Sequence, residues 1–150
     1  MPTPNSHTNE LPSRGTAQRH SSMSGWRSWL STWGGVVGYC GLIFVLSAQP
    51  DLQVPRPFED GDKLVHLCLY AGLGWLWARA VTAQWPGWAP LNVLYVTLVF
   101  TAGYGASDEW HQAHVPGRFA DLRDVLADGI GGVLGGQCYL FLRRRSLEGG

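Results

Sequence analysis

Charge is scarce in this chain, and neither sign prevails. Lys and Arg number 11, Asp and Glu also number 11, and only 15% of the residues are charged, so the formal net charge is zero. That balance excludes a nucleic-acid partner held by overall positive charge. Cysteine is just as sparse. Cys40, Cys68 and Cys138 stand singly inside apolar stretches. They have neither the spacing of a zinc site nor the even count of a disulfide framework, and they read as buried, inert thiols. Residues 1–25, MPTPNSHTNELPSRGTAQRHSSMSG, lack apolar periodicity. They are expected to form a disordered tail. With no apolar core of its own, this tail is not itself a signal peptide.

Apolar and aromatic residues fill the space that charge leaves. Hydrophobic residues make up 45% of the chain, and eight are Trp. They gather into four runs, at about Trp29–Ser47, Leu64–Val81, Ala89–Gly105 and Val125–Leu142. Each approaches the ~20 residues that a helix needs to cross a bilayer. Trp26, Trp29, Trp33, Trp85 and Trp88 cluster at the ends of the runs, where interfacial aromatics sit. Pro86-Gly87 marks a tight turn between the second and third runs. The fold class that follows is all-α, a four-helix integral membrane bundle behind the tail. Gly131, Gly132, Gly135 and Gly136 give two overlapping G-x-x-x-G spacings in the fourth run, and Gly34 with Gly38 gives another in the first. These spacings suit close packing within the bundle or a homo-oligomer.

Arg14, Arg19, Arg27, Arg79 and Arg143–Arg145 fall on one side of such a bundle, seven of the 11 basic residues. Arg56, Lys63, Arg118 and Arg123 fall on the other. The positive-inside rule then makes both termini, tail included, cytoplasmic and turns the two long loops outward. Every dense polar motif belongs to that outer side, so four helix ends converge on one acidic, histidine-bearing cup. Most of its groups come from Ser107–Gly136, where Asp108, Glu109, His111, Gln112, His114, Arg118, Asp121, Arg123, Asp124 and Asp128 run into a glycine-rich apolar segment. Charge against an apolar run is costly unless it pairs or does work.

Within the cup, Asp62, His66 and Tyr70 stack at i, i+4, i+8 on one helix face. A carboxylate beside an imidazole fixes its tautomer and suits a general base or a metal ligand. Asp62, His66 and Glu109 are therefore the candidate catalytic residues, against the reading of a dipole-stabilised helix start. Thr97, Thr101, Tyr104 and Asp108 form a hydroxyl stripe expected to hydrogen-bond another helix. Asp121, Asp124 and Asp128 share a face, and Asp128 lies about a turn inside the apolar run with Arg118, Lys63 and Arg123 as expected counter-ions. Either a buried salt-bridge network or an acidic substrate site accounts for them. Lys63, Gln112, Arg118, Asp121, Asp124 and Asp128 are the candidate ligand-binding residues, with Arg118 placed by Pro116-Gly117 for bidentate capture of a phosphate or carboxylate. His66, Asp108 and His111 are the candidate metal ligands.

Asp62-Lys63 with His66, Ser107-Asp108-Glu109 with Gln112, Pro116-Gly117-Arg118, and Asp121 with Asp124 together resemble the VanZ-like family of small bacterial membrane proteins, over roughly residues 47–136. The resemblance implies a four-helix transmembrane domain over 26–145. It also implies an envelope role related to glycopeptide resistance, since the founding member is linked to low-level teicoplanin resistance. One departure is Asp128, where the family usually carries Asn.

Two functions compete. In one, a non-enzymatic protein of the bacterial inner membrane binds an anionic lipid headgroup or a lipid-linked cell-wall precursor. In the other, a small intramembrane hydrolase or transferase, metal-assisted or not, uses the same Asp/Glu/His cluster. The D-G-x-x-A-R start of the CDP-alcohol phosphotransferases, the P-S-G-H of the lipid phosphatases and H-E-x-x-H are all absent. No cofactor is legible. A proton pathway through Asp128, Tyr104 and His66 would need polar groups in the opposite half, which is apolar except near Arg79.

Overall fold

A computed structural model describes residues 17–49, 61–118 and 120–150, with side chains from residue 29 onward except that of Asp62. The described residues form four helices: α1 (Ala17–Ser47), α2 (Gly61–Gln84), α3 (Pro90–Gln112) and α4 (Leu122–Glu148). The expected tail lies outside the described residues up to residue 16, and 17–25 are the opening turns of α1. Each later helix runs past its apolar run into the polar sequence beside it. Helix ends have clear causes. Pro90 sits in the first turn of α3, where its missing N–H is no loss. Asp121 caps α4 by accepting the Arg123 N–H at 2.9 Å. The Pro86-Gly87 turn closes with Trp88 N–H donating to the Trp85 carbonyl at 3.1 Å.

Glycine sets the tightest contact. A Cβ on Gly131 would overlap the carbonyl of Leu67, and one on Gly135 that of Ala71; a Cβ on Gly74 of α2 would overlap the carbonyl of Gly132. The α4 glycine spacing thus brings two backbones together inside the bundle. Among the described residues, Gly34 and Gly38 of α1 have no atom within reach of a Cβ. That helix packs by side chains instead, placing Val36 and Ile43 against Tyr70 and Leu73.

The burial pattern is inverted relative to a water-soluble bundle. Asp108, Glu109, Gln112, Asp124 and Asp128 are buried, while Val37, Leu91, Tyr95 and Leu126 are more than 60% exposed. Such a surface belongs against lipid. Trp29–Ser47, Lys63–Gln84 and Leu122–Glu148 are long and apolar enough to cross a membrane. At 23 residues α3 has the length, but with Asn92 near its start and Asp108-Glu109 near its end it does not join them on composition. The thiols also differ from expectation. Cys68 and Cys138 are exposed on this apolar surface and Cys40 is half-buried.

Candidate functional site

The C-terminal ends of α1 and α3 meet the N-terminal ends of α2 and α4, and the polar side chains assemble there. Ser47 Oγ of α1 donates to Asp108 Oδ2 of α3 at 2.8 Å. Gln112, one turn on, donates to the same oxygen at 3.0 Å. The Gln112 carbonyl oxygen in turn accepts from Nε of Arg118 at 3.2 Å and from its Nη2. The loop permits this return because Gly117 takes a positive φ of 82°. Arg118 thus holds its charge on a neutral amide, and among the described residues no carboxylate pairs with it.

Lys63 spans the α2–α4 entrance, 3.4 Å from Asp121 Oδ2 and 3.8 Å from Asp124 Oδ1. The Arg123 N–H, then Lys63, hold the Asp121 carboxyl below the ordinary carboxylate range. Glu109 Oε2 accepts the Asp121 N–H at 2.7 Å, tying α3 to the start of α4. Deeper, His66 Nδ1 lies 3.0 Å from Asp128 Oδ1. His66, Glu109 and Asp124 are all buried and present ligating atoms within 4.8 Å of one another. Glu109 Oε1 and Asp128 Oδ2 are buried without a hydrogen-bond partner among the described residues.

The VanZ/LLP1 family model matches residues 11–143. The chain belongs to that family. No curated protein and no solved structure matches it. Family and spans together identify a VanZ-like membrane protein.

In this VanZ-like protein most of the expected site residues meet, but with different partners. The carboxylate on His66 is Asp128 of α4; the side chain of Asp62, its expected partner, lies outside the described residues. Asp128 is correspondingly served by His66, and of the expected counter-ions Lys63 lies on Asp121 and Asp124, Arg118 on Gln112, and Arg123 is exposed. Of the expected metal ligands only His66 joins the trio. Asp108 is taken by Ser47 and Gln112, and His111 stacks on Phe44 with ring centroids 4.4 Å apart. In the hydroxyl stripe, Tyr104 does reach another helix, donating to the Cys40 carbonyl at 2.7 Å. Thr97 and Thr101 turn back to the carbonyls of Val93 and Thr97 on their own helix.

Gly105 of α3 is a site residue that pattern reading missed. A Cβ there would collide with the Asp128 carboxylate, 2.9 Å from its Cγ. No spacing signals this, because the need for a glycine arises on a different helix. At the opposite end of the bundle an apolar groove of about 490 Å³ lies between Leu94, Leu140 and Phe141 and is flanked by Arg143 and Arg144.

Proposed function

We propose that this VanZ-like protein is a non-enzymatic receptor of the bacterial inner membrane. All four helices cross the bilayer, both termini lie in the cytoplasm, and the polar end faces outward. The ligand is an anionic headgroup, the phosphate of a membrane lipid or of a lipid-linked cell-wall precursor. A role related to glycopeptide (teicoplanin) resistance is the form this would take in a resistant cell. Seven of the 11 basic residues fall on the side assigned to the cytoplasm, which supports the orientation. One observation carries the ligand class: Arg118 is half-buried, anchored by two nitrogens on the Gln112 amide, and spared a carboxylate partner among the described residues. An oriented guanidinium with donors to spare suits an oxyanion. Native mass spectrometry of the detergent-purified protein tests this. The wild type is expected to retain an anionic lipid or lipid-linked precursor that Arg118→Ala loses, and equal retention by both would sink the reading.

The alternative is a hydrolase or transferase, and the His66–Asp128 pair beside buried Glu109 favours it. An imidazole oriented by a carboxylate is a competent general base. Under this reading Glu109→Gln abolishes turnover of a bound lipid while leaving its binding intact.

A further inference from the structure

We propose that His66, Glu109 and Asp124 ligate one divalent transition-metal ion, Zn²⁺ or Mn²⁺, beneath the rim of the polar end, with Asp128 orienting His66. Three separate helices supply the ligands, α2, α3 and α4. Two metal–ligand bonds of about 2.0–2.4 Å span at most ~4.8 Å across an ion, and the ligating atoms of the trio lie within 4.8 Å of one another. All three residues are at most 8% exposed, so the cluster is not a solvated acidic surface.

The hydrogen bonds point the same way. His66 Nδ1 lies 3.0 Å from Asp128 Oδ1; in the tautomer that donates Nδ1–H to that carboxylate, the Nε2 lone pair is the ring's ligating atom. A carboxylate behind a histidine in this manner is the usual support for a metal-bound imidazole. Glu109 spends Oε2 on the Asp121 N–H, while Oε1 is buried with no partner among the described residues. A buried carboxylate oxygen without a donor is costly, and a cation removes that cost. Charge strengthens the case. Asp108, Glu109, Asp124 and Asp128 are each no more than 5% exposed. Lys63 reaches Asp124 at 3.8 Å, and Arg118 rests on an amide. Among the described residues only Lys63 and His66 meet these carboxylates as potential cations, and a bound metal ion would offset buried negative charge that they leave. One imidazole with two carboxylates suits Zn²⁺ or Mn²⁺ better than an all-oxygen Mg²⁺ or Ca²⁺ cage.

The inference needs neither functional reading, because Arg118 is not a ligand and its loss leaves the trio intact. The test is Mn²⁺ titration of the chelator-stripped, full-length protein in detergent, followed by electron paramagnetic resonance, with Zn²⁺ as competitor. The wild type is expected to bind one Mn²⁺ per chain, displaced by Zn²⁺, and to unfold at higher temperature when loaded. Glu109→Gln, which keeps the shape of the side chain, is expected to weaken Mn²⁺ binding at least tenfold and to abolish the thermal shift. Glu148→Gln, in the exposed pair with Arg144 at 2.8 Å at the other end, is expected to bind as the wild type does. No saturable Mn²⁺ binding by the wild type overturns the site, as does undiminished binding by Glu109→Gln.

Discussion

Asp128 of α4 stands behind the imidazole of His66 on α2. On its own helix it looks like a carboxylate stranded in an apolar run; in the bundle it is fully buried and sits on His66 at 3.0 Å. The two are separated by 62 positions, and helical periodicity relates only residues on the same helix. That is why the pair was not legible while Asp121 and Asp124, at a recognisable helix start, were. Replacing Asp128 by Asn keeps the volume but removes the charge behind the imidazole. Mn²⁺ affinity is expected to fall about 10–100-fold, the usual effect of losing such a partner, with circular dichroism unchanged. Ser47 makes a separate prediction. It donates to Asp108 at 2.8 Å inside the bundle. Ser47→Ala leaves that oxygen with Gln112 alone, at a cost of about 1–3 kcal/mol, readable as a lower denaturation midpoint in detergent. Asp121 adds a pH dependence. Its carboxyl is held below the ordinary range by the Arg123 N–H and Lys63. A depressed acid stabilises the fold above its unfolded-state value, near 3.9, and the contribution is lost as pH falls through the folded value. The acid limb of the unfolding curve is therefore expected to flatten in Asp121→Ala.

At the scale of helices, the sequence is most informative where length and glycine spacing decide. Apolar runs near bilayer length announced the helices, and the first of them coincides with the span Trp29–Ser47. What the runs hid is that α2, α3 and α4 continue through the polar flanks, since caps and neighbours satisfy those turns. The glycines of α4 announced close packing, but not that Gly131 and Gly135 face α2 while Gly132 and Gly136 face chiefly α3. Gly135 faces the Ala71 carbonyl, where a Cβ would overlap backbone that cannot yield. Gly135→Val is expected to push α2 from α4 and destabilise by at least the ~1–3 kcal/mol typical of overpacking. The ligating atoms of His66 and Asp124 should separate with the helices, weakening Mn²⁺ binding as well. Gly38→Ala in α1 meets no neighbouring atom among the described residues and is the control, expected to unfold at the wild-type temperature.

Across the whole molecule, the polar end sets two requirements against each other. An anionic headgroup on Arg118 would approach a region where Asp108, Glu109, Asp124 and Asp128 are all buried. Coulomb repulsion from those carboxylates opposes it, and more strongly at the low effective dielectric of a protein interior than in water. A divalent ion among His66, Glu109 and Asp124 removes much of that repulsion and adds attraction from behind the rim. The two proposals then make a joint prediction that neither makes alone. In native mass spectrometry, the anionic lipid retained by the wild type is expected to dissociate after chelation and return when Mn²⁺ is restored. Arg118→Ala is expected to lose the lipid yet still bind one Mn²⁺, and Glu109→Gln to lose both. Lipid retention that ignores chelation would separate the rim from the trio energetically. The carboxylates would then be offset by protonation or by Lys63 and His66 alone, and the ion would have no part in holding the headgroup.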